Sequence, residues 1–376
     1  MAGIYLHIPF CKQACHYCDF HFSTSLKKKD EMIFALIKEL NLRKNEIDET
    51  IETIYFGGGT PSILTNEEIN LLIDTVYSLF DLIENPEITL EANPDDLSVA
   101  RIQQLASSKI NRLSIGVQSF YNEDLQMMNR AHNADEAWDC LVEATKFFDN
   151  ISIDLIYGIP GMAMDRWKSN IQKVLDLDIP HISTYALTVE PKTALATLIK
   201  KGKIPTPDDG EAHEHFLALV SILENNGFVH YELSNFGKAG YFSKNNSAYW
   251  LGKKYLGIGP SAHSFDGKNR SWNIANNSLY MQSIQKNELP NETEALSMRD
   301  RYNEYVMTGL RTIWGVSLKK IENDFGTDYL DYLLKNAEVF LTNEKLMIEN
   351  TILKTTLKGK FFCDGIASEL FKIEDN

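Results

Sequence analysis

The sequence predicts an α/β fold, a partial (β/α)6 barrel followed by a smaller C-terminal α+β domain. Three observations carry that prediction. Short β-rich runs alternate with helix-like segments through the first half of the chain, and the alternation fades past Val189. Unusual polar or small residues stand where each predicted strand ends. Such alternation argues a parallel sheet with crossover helices. Six strands of similar spacing suit a barrel, or an incomplete one, better than a short open sheet.

The predicted strands are Ile4–Ile8, Thr53–Phe56, Ile88–Glu91, Arg112–Gln118, Ile151–Tyr157 and Ile182–Leu187. Helices are expected between them at Glu31–Lys44, Asn66–Phe80, Leu97–Ser107, Ala134–Phe148 and Arg166–Asp176. Thr65 or Asn66 can cap the second helix, with Glu67 and Glu68 in its first turn. Asp165 can cap the fifth. Lys203–Asp209 reads as a Pro- and Asp-rich linker before a helix near Glu211–Asn225. Asn235–Gly267 is rich in Gly, Asn, Ser and aromatics and reads as an irregular loop. A helix is expected from about Leu296 to Arg311, then strands near Phe340–Ile348 and Thr351–Lys354. The expected organisation is a barrel over residues 1–200, a linker and loop region over 201–290, and a helical or winged domain over 291–376.

Of 376 residues, 37 are Lys or Arg and 52 are Asp or Glu, a formal charge of −15. That balance disfavours a protein that covers nucleic acid, which needs a basic surface. Apolar residues make up 44%, enough for a sizeable core. The N-terminus lacks a signal-peptide pattern and no run is long enough to span a bilayer, so a cytoplasmic location is expected. Five Cys are too few for a disulfide scaffold of this length.

Three of them, Cys11, Cys15 and Cys18, fall on the loop leaving the first strand. In an α/β barrel that is the face where chemistry is done. Three thiolates can hold three corners of a cubane iron–sulfur cluster and leave the fourth iron without a protein ligand. Zinc is the competing reading, since His7, His16 and His21 lie nearby. Zinc modules usually bring ligand pairs from two separated loops, which favours the cluster. Cys140 and Cys363 read as packing residues.

The other strand ends carry Gly57-Gly58-Gly59-Thr60-Pro61, Glu91 with Asn93 and Pro94, Gln118-Ser119, Asp154, and Tyr185-Ala186. Consecutive glycines let backbone groups approach a ligand closely. Taken singly, Asp154 could be a structural carboxylate and Glu91 a lysine's partner. Together with the Cys loop they predict one ligand site across the barrel mouth. Arg130 could pair there with a carboxylate.

These residues carry a resemblance. The C-x3-C-x2-C spacing is that of radical S-adenosylmethionine (SAM) proteins. The run Tyr5-Leu6-His7-Ile8-Pro9-Phe10-Cys11, followed by Tyr17-Cys18-Asp19-Phe20, resembles the oxygen-independent coproporphyrinogen III oxidase (HemN-like) family. The resemblance continues through Gly57–Pro61, Glu91–Pro94, Ile115–Phe120, Asn129-Arg130, Asp154–Gly158, Glu232–Phe236 and Tyr302–Trp314. It implies a radical SAM partial barrel with a [4Fe–4S] cluster on Cys11, Cys15 and Cys18. It also implies a SAM site lined by Tyr5, Tyr17, Gly58, Gly59, Thr60, Glu91, Gln118, Arg130, Asp154 and Ala186. Gln118 and Asp154 would lie near the ribose, and Arg130 at the carboxylate.

Within that family, oxidases carry a further Cys two residues after the third, where this chain has Phe20, and a longer N-terminal arm. Both departures resemble the haem-chaperone (HemW) branch, and that resemblance implies a protein that holds haem and passes it to acceptor proteins rather than decarboxylating propionates. The resemblance thus implies haem as a ligand, haem-accepting partners, and an electron donor such as flavodoxin or ferredoxin, and it permits a homodimer. That branch carries a His-Asn-x-x-Tyr-Trp signature. Here it reads Asn245-Asn246-Ser247-Ala248-Tyr249-Trp250, with Asn245 in place of the His. Tyr249, Trp250 and His263 are the candidate haem residues.

Overall fold

The structure is a computed structural model and describes residues 1–373. Six parallel strands form its centre: β1 (Ala2–Ile8), β2 (Ile51–Gly58), β3 (Leu82–Ala92), β4 (Arg112–Gln118), β5 (Ile151–Tyr157) and β6 (His181–Ala186). They pair in sequence order, β1 to β6. The crossovers carry α1 (Lys29–Leu42), α2 (Asn66–Leu79), α3 (Val99–Ala106), α4 (Asn122–Met127), α5 (Ala134–Ala144) and α6 (Met164–Asp176). β1 and β6 do not pair with each other, so the six strands form an incomplete barrel.

Alternation along each strand divides two environments. Ile4, Leu6 and Ile8 of β1, Leu113, Ile115 and Val117 of β4, and Ile151, Ile153 and Leu155 of β5 are fully buried in the apolar core. The intervening residues are polar, aromatic or glycine: Tyr5 and His7, Thr53 and Tyr55, Glu87, Thr89 and Glu91, Arg112, Ser114 and Gly116, Ser152 and Asp154, His181 and Ser183. Period-2 alternation puts these on the opposite face, toward the lumen. The core of this barrel therefore lies between strands and helices, and its lumen is hydrophilic.

Local signals place the helices. Thr65 caps α2 in a reciprocal box, its Oγ1 accepting from Glu68 N at 3.2 Å while Glu68 accepts from Thr65 N at 2.7 Å. Asp165 does not cap α6. The N-cap is Ala163, without a side-chain bond, and Asp165 lies in the first turn instead.

The segment 235–267 differs from its expected irregularity. After α7 (Ala194–Lys200) and α8 (Asp209–Asn225), strands β7 (Val229–Glu232) and β8 (Asn235–Gly237) extend the sheet beyond β6. Helix α9 (Lys244–Trp250) follows. Then β9 (Tyr255–Ile258) joins β1 in parallel, and β10 (His263–Phe265), β11 (Asn269–Asn273) and β12 (Asn291–Ala295) continue antiparallel, with α10 (Asn277–Gln285) before β12. The sheet has twelve strands. Strands of three to five residues are too short to display a period, which is why composition alone suggested a loop.

The C-terminal part contains α11 (Met298–Leu310), β13 (Val316–Ser317), α12 (Leu318–Phe325), α13 (Thr327–Thr342), β14 (Leu346–Glu349), β15 (Ile352–Thr355), α14 (Leu357–Lys360) and α15 (Cys363–Glu369). Phe340, expected in a strand, lies in the last turn of α13, which ends at Thr342, and the strand begins at Leu346. This part has its own core, including Tyr302, Val306, Leu310, Leu333 and Leu353. It joins the sheet through Arg311, which donates to Glu232 Oε1 of β7 at 3.1 Å and lies 5.0 Å from the centre of the Trp250 ring.

Candidate functional site

A cavity of about 430 Å³ opens at the C-terminal ends of the barrel strands. Cys11, Cys15, Tyr17, Cys18, Gly58, Gly59, Thr60, Glu91, Gln118, Arg130, Asp154 and Ala186 all line it. Tyr5 is not among the lining residues; it sits lower on β1, where its hydroxyl donates to His7 Nδ1 at 3.3 Å. The three cysteines have free thiols and are half-buried.

The cysteine loop is tied down on several sides. Cys11 N donates to Ser23 O at 3.1 Å, His16 N to Met128 O at 3.0 Å and Leu195 N to His16 O at 2.7 Å. Asn129 holds the same loop, its Nδ2 donating to Ala14 O at 2.7 Å and its own carbonyl accepting from Gln13 Nε2 at 2.9 Å. Asn129 is in the left-handed region, φ +56°, where Asn is among the tolerated residues. It precedes Arg130, and sequence reasoning named it only as part of a motif.

The glycine turn is set by close approach. A Cβ on Gly59 would sit 2.5 Å from Phe10 O and 2.8 Å from Ile8 O and Phe10 N. Gly59 N donates to Ile8 O, and Thr60 N to Phe10 O at 2.7 Å, so this turn clamps the exit of β1.

β4 ends in an irregularity between Ile115 and Gln118. Gln118 has φ +68°, a strained backbone for a residue with a side chain. The kink exposes Gly116 O to Arg130 Nη2 at 2.7 Å, and the same Nη2 donates to Asn93 Oδ1 at 2.8 Å. The other arm, Nη1, reaches Cys15 Sγ at 3.3 Å. Arg130 Nε is buried with no partner among the described residues. Asn93, a fixing residue for Arg130, was legible only as a neighbour of Glu91.

Glu91 accepts from Tyr55 OH at 2.8 Å. Burial pushes its carboxyl up to about 7, against the Tyr55 bond, and the Asp154 charge adds to the rise. Asp154 is pushed up to about 6, again by burial, with Ser183, Arg112 and Arg130 opposing. The part of each side chain that remains exposed faces the cavity.

The donor set fits a cluster better than a single ion. Among the described residues, no three His, Cys, Asp or Glu side chains converge on a metal-ion position. A cubane instead takes each thiolate on a different iron. Each candidate histidine has a ring nitrogen engaged elsewhere: His7 Nε2 donates to His21 O at 3.1 Å, His16 Nδ1 donates to Met127 O at 2.8 Å, and His21 Nε2 bonds Asn277 Oδ1 at 2.7 Å. Burial pushes the Cys11 thiol up to about 11, and the Cys18 and Cys15 charges add to it. A bound metal would offset both. Arg130 would then donate to a cluster sulfur ligand, a contact of the kind that tunes such centres.

The candidate haem residues lie on α9 and β10. Tyr249, on α9, packs edge-on to Tyr255 at 4.6 Å and lies within electrostatic reach of Glu91. Trp250 is under Arg311. His263 is exposed on β10, 6.0 Å from the Trp272 ring. Asn245, at the signature His position, is buried and accepts from Thr53 Oγ1 at 3.0 Å. It serves as a packing residue at the lower ends of β1 and β2.

Comparison with known proteins agrees with this geometry. The Radical SAM superfamily model matches residues 5–174, from β1 into α6. The HemN C-terminal domain model matches 296–362. The solved coproporphyrinogen III oxidase (HemN) from Escherichia coli superposes with a TM-score of 0.85, covering 98% of this chain and 90% of that one at 22% identity, a likeness of fold. The fold and site thus define a radical SAM protein. Full-length relatives narrow the class. "Heme chaperone HemW" of Bacillus subtilis is 35% identical over 93% of each chain, and that of Lactococcus lactis 37% identical over 91% of this chain and 90% of its own. The chain belongs to the HemW family.

Proposed function

We propose that this protein is a haem chaperone. In this reading it holds a [4Fe–4S] cluster and SAM, binds haem, and transfers it to acceptor proteins in the cytoplasm. The observation that carries the reading is the identity with relatives named heme chaperones over nine-tenths of both chains. Phe20 supports it: an exposed phenyl, not a thiol, stands two residues past Cys18 on the cavity's lip.

Cys11, Cys15 and Cys18 would hold the cluster, which supplies an open iron able to chelate the amino and carboxylate groups of SAM. Arg130, fixed by Asn93 and Gly116, would orient the SAM carboxylate by a planar, charge-assisted contact. Gln118 and Asp154 would take the ribose, and the Gly58–Thr60 backbone would lie against the amino-acid moiety. Of the haem candidates, His263 is the exposed side chain, and we carry it forward as the axial ligand. An electron donor such as flavodoxin or ferredoxin would serve the cluster, and a homodimer is compatible with the reading.

The test is anaerobic haem titration of cluster-replete protein, followed at the Soret band. Saturable uptake near one haem per chain, weakened in His263→Ala, is the expected result. Absence of uptake with an intact cluster sinks the chaperone reading. Protoporphyrinogen formation from coproporphyrinogen III would replace it with an oxidase.

A further inference from the structure

His263 stands apart from the other histidines. Of nine in the chain it alone is exposed. Neither of its ring nitrogens has a hydrogen-bond partner among the described residues. His213 packs 4.7 Å from the Phe361 ring, and each of the others is held through a ring nitrogen.

The β10–β11 hairpin that carries His263 is fastened from behind. Ser264 Oγ accepts from Gly257 N at 2.9 Å and from Arg43 Nη2 at 3.2 Å. Asn273 Nδ2 donates to Glu39 Oε1 at 2.7 Å and to Gly259 O at 2.8 Å. Glu39 and Arg43 are themselves a buried ion pair on α1, 3.1 Å apart. With Ser264 and Asn273 fixed on the back, alternation turns His263 and Phe265 of β10 to the front. Trp272 and Arg270 of β11 stand opposite them in register, and Tyr255 of β9 pairs with Phe265. The Trp272 ring lies 6.0 Å from that of His263 at a 31° tilt, and the Tyr255 ring 6.3 Å from that of Phe265. Arg270 closes the row, paired with Glu304 of α11 at 2.8 Å. A free imidazole beside a row of aromatic rings matches a planar apolar macrocycle whose iron takes a nitrogen ligand.

We propose that haem docks on this front face of β9–β11, with His263 as its single protein ligand, Trp272 as the positioning residue beside that imidazole, and the second axial position of the iron left to an acceptor protein. The inference rests on the haem-chaperone reading given above. Phe265, Trp272 and Arg270 offer iron no lone pair, so the hairpin supplies one ligand and not two. Burial and the Arg270 charge hold His263 below its ordinary proton affinity, which keeps the imidazole neutral at pH 7. Transfer is then a ligand exchange without redox change. A donor atom of the acceptor bonds the iron at the open position, the iron–His263 bond breaks, and its electron pair returns to the imidazole.

Haemin titration of the anaerobic, cluster-replete full chain tests this, with visible and electron paramagnetic resonance spectra of the ferric complex and carbon monoxide binding after reduction. Wild type should give high-spin ferric haem and, once reduced, take up carbon monoxide without losing haem. His263→Gly should lose the wild-type spectrum and regain it on adding imidazole. Trp272→Leu should weaken haem binding about tenfold with the spin state kept, while Trp272→Phe stays within about threefold of wild type. Low-spin haem in wild type overturns the single-ligand proposal. A wild-type spectrum and affinity in His263→Gly overturns the site while leaving the haem reading intact. If Trp272→Leu does not fold, Trp272→Phe and the imidazole rescue decide: restoration by imidazole supports the proposal and its absence refutes it. Wild type that takes up no haem overturns the haem reading and this inference together.

Discussion

Replacing Gly59 by Ala puts one methyl where the structure has no room. The added Cβ would lie 2.5 Å from Phe10 O, 2.8 Å from Ile8 O and 2.8 Å from Phe10 N, all backbone atoms. None can rotate away as a side chain would, so the β1 exit and the glycine turn must part. The bonds at stake are Gly59 N to Ile8 O and Thr60 N to Phe10 O. Overpacking costs about 1–3 kcal/mol, and losing one of these bonds adds about 1 kcal/mol. The total is about 2–4 kcal/mol, felt at the residue before Cys11. Gly365→Ala is the control, because nothing lies within 4 Å of its Cβ and the site is helical. It should be neutral or stabilising by about 0.5–1 kcal/mol. The assay is thermal unfolding of both variants, with iron content and SAM affinity after anaerobic reconstitution. Gly59→Ala should melt earlier and bind SAM more weakly. Wild-type melting and wild-type affinity in Gly59→Ala would show that the close approach does not organise the site.

Other outcomes follow from the same geometry. Arg130→Lys loses the planar fork that spans Asn93 Oδ1, Gly116 O and Cys15 Sγ, and SAM affinity should drop about tenfold or more by calorimetry; an unchanged affinity would remove Arg130 from the site. Cys18→Ala should abolish the visible iron–sulfur absorbance while Cys140→Ala keeps it; equal spectra would contradict the assignment. Because burial holds the folded Glu91 carboxyl at about 7, above its unfolded value, its contribution to apoprotein stability is present at low pH and lost as pH rises through 7. Melting from pH 5 to 7 should therefore decline with pH more steeply in wild type than in Glu91→Gln, and parallel curves would refute the shift. Arg311→Ala strands the buried Glu232 carboxylate and should destabilise by about 2–4 kcal/mol in chemical denaturation. A cost under about 0.5 kcal/mol would mean the Glu232 contact contributes little.

Much of the mouth of the barrel was legible because its chemistry is local in sequence. Cys11 to Cys18 and Gly57 to Pro61 each form a site wall from consecutive residues, and Glu91, Gln118 and Asp154 each end or interrupt an apolar strand. Arg112 escaped notice because an arginine at a strand's first position usually marks the solvent end. Strand pairing was needed to show it buried beside Thr89. The parallel pairing of β9 with β1 was hidden because four residues around Gly257 carry no alternation. Tyr249 and Trp250 read as haem candidates from the branch signature. Which neighbours they have, Tyr255 on the next strand for one and Arg311 from the C-terminal part for the other, was not legible because those contacts are tertiary.

The inside-out alternation of the six strands makes the site its own alignment key. A slip of any strand by one residue exchanges its two faces. For β4 that would drive Arg112 and Ser114 into the helix layer and turn Leu113, Ile115 and Val117 toward the lumen. For β3 and β5 it would bury Glu91 and Asp154 among leucines and isoleucines. Each such slip places a charge in hydrocarbon, a heavier penalty than mispacking one aliphatic residue against another. The residues that would meet the ligand are thus also the ones that forbid a misaligned sheet, and neutralising several of them together should loosen folding fidelity as well as binding.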